Sequence, residues 1–172
     1  WGFERHGLVP DMVTMGKPMG NGFPLSGAAM RPDLVEEFGT KARYFNTFGG
    51  NPVAAAAGMA VLDVIRDEGL QDNARVMGQR LQDGLRDIAK RRDGICDVRG
   101  AGLFLAVECG ADGATPDAGR AGFVVNHLRQ NGVLISATGP GANILKIRPP
   151  LILSAEEADR FLEATDAAFA AA

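Results

Sequence analysis

Apolar and polar positions mark out short strands early in the chain and helices after them. Met12 to Met15 is a short apolar run that reads as a buried strand ending at Gly16. Residues 24 to 30, Pro-Leu-Ser-Gly-Ala-Ala-Met, are small and apolar enough for a second strand, so two strands flank the glycine- and proline-rich loop between them. Arg31-Pro32-Asp33 then opens a short helix. Asn51 as N-cap and Pro52 at the first helical position start a helix that continues from Val53 to Arg66 and stops before Gly69. Its alanines and aliphatics predict that it is mostly buried. A second helix, about Asp72 to Arg92, sets Ala74, Met77, Leu81, Leu85 and Ile88 on one stripe, so it faces a core on one side only. Lys90, Arg91 and Arg92 occupy its last turn, where the helix dipole favours cations.

After Gly94 the period changes. Ile95 to Arg99 and Leu103 to Glu108 are strand-length runs joined by Gly100-Ala101-Gly102, the pattern of a tight hairpin. A polar loop, Gly110 to Asp117, leads into a helix ending near Gly132, and Val133 to Ser136 and Ile144 to Arg148 read as further strands. Ser154-Ala155-Glu156-Glu157 is a capping box, with Phe161, Leu162, Thr165 and Phe169 as the buried face of a final helix. The order predicts an α/β chain with a boundary in the long helix after Gly69. Residues 1–75 would belong to one larger layer and residues 76–172 to a smaller α+β domain.

Composition narrows the classes without choosing among them. The 172 residues are 46% hydrophobic and 23% charged, with net charge −3 and 23 glycines, which is ordinary globular usage. No apolar run approaches the roughly 18 to 20 residues that cross a bilayer. The chain opens on Trp1-Gly2-Phe3-Glu4-Arg5-His6 and not on a basic and then apolar leader, so a cytoplasmic location is expected. Cys96 and Cys109 lie in or beside apolar runs and His6 and His127 are isolated, which predicts reduced core thiols and no metal. Scattered Lys and Arg argue against a nucleic-acid partner, which needs a clustered basic face.

Three places carry candidate chemistry. Lys17 stands alone at the mouth of the first strand, where an amine is either solvated on a turn or held with a depressed pKa as a nucleophile for an aldehyde. Thr47-Phe48-Gly49-Gly50-Asn51-Pro52 puts a hydroxyl and flexible backbone before a helix N-terminus, which suits a phosphate or a close helix packing equally. Lys146 and Arg148 alternate onto one face of a strand about 7 Å apart. That pair fits either a bound carboxylate or phosphate or a solvated strand face. Two other motifs are excluded. Gly16-Lys17 lacks the Ser or Thr and the first glycine of a P-loop, and Gly100-Ala101-Gly102 lacks the third glycine of a dinucleotide fingerprint.

The segment Pro10-Asp-Met-Val-Thr-Met-Gly-Lys17-Pro-Met-Gly-Asn-Gly-Phe-Pro-Leu-Ser-Gly27 resembles the cofactor-lysine segment of class III aminotransferases. The resemblance continues at Phe45-Asn-Thr47-Phe-Gly-Gly-Asn-Pro52, at Asp97-Val-Arg-Gly-Ala-Gly-Leu103 and at Leu145-Lys-Ile-Arg-Pro-Pro-Leu151. It implies a fold-type I transferase that uses pyridoxal 5'-phosphate, here the C-terminal part of the large domain plus the small α+β domain. By that resemblance Lys17 holds the cofactor as a Schiff base, and Thr47 contacts the cofactor phosphate of the neighbouring subunit of a homodimer. Lys146 or Arg148 would bind the substrate anion. Many members carry arginine at the position of Lys146, where it holds the substrate α-carboxylate. Val133 to Pro140 together with Ile144 to Pro150 looks more like the subgroup of alanine-glyoxylate aminotransferase-like phospho-lyases.

The resemblance also sets out what else such a site needs. A pyridoxal enzyme places an acid against the ring nitrogen. Asp11 precedes Lys17 by six residues of extended chain, about 20 Å, too far for both to grip one ring. The family's acid, its ring-stacking aromatic and its glycine-rich phosphate loop stand upstream of the segments matched here. The expectation is therefore a C-terminal part of an aminotransferase of amines and keto acids that is idle by itself. A lyase acting on a phosphorylated amine and a non-catalytic remnant are the alternatives.

Overall fold

In the computed structural model, which describes residues 1–111 and 115–172, the run Met12–Met15 is a strand (β1) paired antiparallel with Gly27–Met30 (β2). Val13 and Met15 are half-buried while Met12 and Thr14 are exposed. β1 is therefore not the buried strand expected, because a two-stranded ribbon covers one side of itself only. Arg31 closes the open end of the hairpin: its backbone N–H donates to the Asp11 carbonyl at 3.0 Å and its Nη1 to Asp11 Oδ1 at 2.6 Å. Proline at the helix start then launches α1 (Pro32–Lys41).

Helix α2 (Pro52–Asp67) begins as the sequence predicts, with Asn51 Oδ1 accepting from the Val53 and Ala54 N–H groups at 2.9 and 3.2 Å. The expected burial is not there. Only Gly58 is buried, against Leu25, whereas Val53, Met59 and Leu62 are more than half exposed. An apolar composition records how much surface a helix could bury, and within Trp1–Glu68 too little chain packs on it.

Trp1–Glu68 and Gly69–Ala172 are two compact units. The second begins with α3 (Leu70–Arg91), whose Leu81, Leu85 and Ile88 are buried at the predicted spacing. β3 (Ile95–Ala101) and β4 (Phe104–Cys109) form the predicted hairpin, followed by α4 (Ala118–Gln130), β5 (Ser136–Thr138), β6 (Ile144–Ile147) and α5 (Ala155–Ala171). The antiparallel sheet runs β3-β4-β6-β5. Its inner face, including Leu105, Val107, Leu145 and Ile147, is covered by α3 and α4, and α5 packs on those two helices. Residues 112–114 of the expected polar loop lie outside the described residues.

Two expectations shift in register. Val133 to Ile135 are not strand: the Val133 N–H returns to the Leu128 carbonyl at 2.9 Å to close α4, so β5 starts at Ser136. On α5 the buried positions are Ala158, Thr165, Ala168 and Phe169, with Phe161 and Leu162 half-buried. The alanines take the inner positions because they let the helix approach the layer beneath. The capping box forms with both bonds, Glu157 N–H to Ser154 Oγ at 3.2 Å and Ser154 N–H to Glu157 Oε2 at 2.8 Å. Burial pushes the Cys109 thiol up to about 12, which makes it a packing group and no nucleophile. Cys96 is half-buried and free.

Asp166 ties α5 to the end of α3, accepting from Arg92 at 2.8 Å and Arg91 at 3.0 Å. Arg92 first, then Arg91, holds its carboxyl below the usual range. A carboxyl lowered in the folded state contributes stability that is present above its unfolded value and lost as pH falls through the folded one. Asp166→Asn is therefore expected to lower Tm by roughly 1 to 5 °C near neutral pH. The gap to wild type should close between about pH 5 and about pH 2 in thermal melts; a constant gap would remove the ion pair as its cause.

Candidate active site

Lys17 follows β1 directly and heads a single turn of 3-10 helix, Lys17–Gly20, after the extended Gly16. Its φ is 56°, in the left-handed region that costs a side-chain-bearing residue about 1 to 2 kcal/mol. The turn is fixed by Met19 N–H to the Gly16 carbonyl at 3.3 Å and Asn21 N–H to the Pro18 carbonyl at 3.0 Å. Gly20 is buried, with no more than 3.3 Å between an added Cβ and both Phe23 and Leu25. The turn packs on α2, so one unit positions both the lysine and the helix behind Thr47. Lys17 is exposed and has no hydrogen bond or ion pair among the described residues, so this unit does not supply the burial invoked for its amine. Asp11 is committed to Arg31.

Thr47 is exposed in the loop before α2. The backbone donors around it are more occupied than a glycine-rich loop implies. Asn46 Oδ1 accepts from Phe48 and Gly49 N–H at 3.0 and 2.8 Å, and Asn51 takes Val53 and Ala54. The helix terminus is thus capped by Asn51 as the sequence predicts, and the exposed Thr47 hydroxyl has no partner among the described residues. Asn46 is a residue the sequence reading missed. Asparagine accepting from the N–H groups two and three residues further on is an Asx turn, a signal that could have found it.

In β6 the alternation holds, with Leu145 and Ile147 buried, Lys146 half-buried and Arg148 exposed. Lys146 sits opposite Ala106 of β4 and Ser136 of β5, two small residues that leave its stem room on the outer face of the sheet. The strand ends at Ile147, and Arg148 lines a cavity that Lys146 does not reach. Lys17 and Thr47 thus lie in one unit and Lys146 and Arg148 in the other.

The family model for class III aminotransferases matches residues 1–169, so the chain belongs to that family. Ethanolamine-phosphate phospho-lyase homolog 1 of Caenorhabditis elegans is 47% identical over 84% of this chain and 32% of its own length. The mitochondrial alanine–glyoxylate aminotransferase 2 homolog 2 of Arabidopsis thaliana is 43% identical over 96% of this chain and 35% of its own. A phospholyase from Arthrobacter, solved with phosphoethanolamine, superposes on 100% of this chain and 41% of its own with TM-score 0.96 and 40% identity. The chain therefore spans about a third of the curated relatives it matches. The fold is that of the pyridoxal phosphate-dependent transferases, and pyridoxal phosphate is the cofactor of the family. An unpartnered amine on a fixed turn suits the aldehyde end of that group, and an exposed threonine hydroxyl suits a phosphate.

Proposed function

We propose that these residues supply the lysine side of a pyridoxal phosphate-dependent active site that transfers an amino group between an amine and a keto acid. The observation that carries this reading is Lys17 itself, held at positive φ on a pinned turn with its amine unpartnered, inside a segment the family model covers. The cofactor supplies an electron sink for the substrate carbanion. Lys17 would hold the cofactor through its amine and, when free of it, would move the proton from the substrate carbon. Thr47 donates to the cofactor phosphate, in a homodimer where that loop serves the neighbouring subunit. Lys146 holds the substrate anion. Residues beyond these 172 provide the acid, the ring-stacking group and the rest of the phosphate site, so the 172-residue chain alone turns over no substrate.

A second reading, elimination of phosphate from a phosphorylated amine, is favoured by lysine in place of the carboxylate-binding arginine. Lysine meets a phosphate as a point charge and lacks the bidentate fork that a carboxylate exploits. The assay that separates them gives the holoenzyme either an amino donor with a keto acid or phosphoethanolamine alone. Product that depends on the keto acid supports transamination, and inorganic phosphate released without any keto acid replaces it with the lyase. Under the first reading Lys146→Arg should raise kcat/KM for α-amino acid donors by about tenfold through the added hydrogen bond. An unchanged or lower value would remove Lys146 from the substrate site.

A further inference from the structure

The second unit holds a cavity of about 330 Å³ that the chemistry above does not use, on the side of the sheet end where α5 begins. Val133, Ile135, Ile147, Leu153 and Phe161 make its apolar wall. Val133, Ile135 and Phe161 stay partly exposed although they pack on the core, so the wall opens to solvent. Two guanidiniums complete the lining, Arg148 just past β6 and Arg160 on the second turn of α5. Arg160 leans over the backbone of Gly132, its Nη2 3.1 Å from where a Cβ would stand, which brings its charge to the wall.

Among the described residues, no ion pair balances the arginines of this cavity. Every arginine of α3 meets a carboxylate: Arg75 with Asp72, Arg80 with Asp159, Arg86 with Asp83 and Arg91 with Asp166. Arg148 and Arg160 meet none among the described residues. Among the described residues the one acid in the lining, Glu157, is spent on the capping box, with Oε2 on the Ser154 N–H at 2.8 Å. Two uncompensated cations beside an apolar wall call for a ligand with both properties, an anionic head and an apolar body. At about 30 Å³ for each water-sized group the space admits roughly ten non-hydrogen atoms.

We propose that this cavity binds a small organic anion, an aromatic or branched body carrying a phosphate or carboxylate, with Arg148 and Arg160 on the head and Phe161 against the body. Such a ligand bridges the end of β6 and the start of α5, so its occupancy reports to the strand that carries Lys146. The site lies wholly within the second unit and takes a molecule other than the cofactor.

Phenyl phosphate serves as the probe, titrated into the cofactor-loaded protein while the methyl NMR signals of Val133, Ile135 and Ile147 are followed. Saturable shifts of those methyls are expected, with Kd raised about tenfold by Arg148→Gln and by Arg160→Gln, one charge-assisted contact each. Phenol and inorganic phosphate should each bind at least about tenfold more weakly, since each lacks one half of the ligand. Arg129→Gln, which removes an exposed arginine of α4 outside the cavity, should leave Kd unchanged. Unaltered thermal melts of the variants confirm that a change in Kd is not a change in fold. The proposal is overturned if the methyls do not move, if Arg129→Gln weakens binding as much as the cavity variants, or if inorganic phosphate binds as tightly as phenyl phosphate.

Discussion

Replacement of Lys17 by alanine in the holoenzyme is expected to lower kcat by about 10⁴-fold or more, because one amine serves both as the covalent attachment and as the proton carrier. The same variant should lose the covalent adduct that borohydride fixes. In the wild type, reduction followed by peptide mass analysis should find the cofactor on the peptide containing Lys17, and in Lys17→Ala on none. A second substitution separates chemistry from folding. Lys17 has φ 56°, a conformation glycine adopts freely, so Lys17→Gly should melt no lower than Lys17→Ala while being as inactive. If Lys17→Ala kept turnover within about tenfold of wild type, the lysine would be a turn residue and the assignment would fail.

The strained backbone at Lys17 could not have been read from the sequence. The pattern located the end of β1 and the lysine after it, since both follow from local periodicity. The left-handed backbone of Lys17 belongs to a turn whose Gly20 lies close against Phe23 and Leu25, contacts between residues whose spacing carries no signal. The same distinction explains the two misjudged burials. Leu81, Leu85 and Ile88 of α3 were legible because one stripe of a long amphipathic helix has one possible use. α2 is apolar around most of its circumference, and its burial depends on what packs there, which composition cannot specify. Thr47 was legible as a hydroxyl before a helix, but the capture of Phe48 and Gly49 N–H by Asn46 depends on a side-chain rotation. The cavity of Arg148 and Arg160 was invisible for a different reason. It joins a position just past β6 with one on α5 through the fold, and neither position is unusual in its own segment.

Gly78→Ala should destabilise the second unit far more than Gly84→Ala, although both are alanine substitutions within α3. In isolation each would favour the helix by up to about 1 kcal/mol. A Cβ at Gly78 would lie 2.2 Å from the Gly102 carbonyl oxygen and 2.7 Å from its Cα, so the obstacle is backbone at the tip of the β3–β4 hairpin. Gly102 cannot retreat freely, because it turns the hairpin at φ 53° and the neighbouring Gly100 sits at φ 147° under the Phe104 carbonyl. At Gly84 the Cβ would meet Leu162 Cδ1 at 2.4 Å, the far end of a half-buried side chain on α5 that can change rotamer. Overpacking against fixed backbone typically costs about 1 to 3 kcal/mol or more. Gly84→Ala should fall within about 1 kcal/mol of wild type as helix gain offsets the rotamer change. Urea melts of the two variants measure the difference. Equal loss would mean that α3 and the hairpin tip are free to separate, and that the small domain does not depend on the close approach of the two glycines.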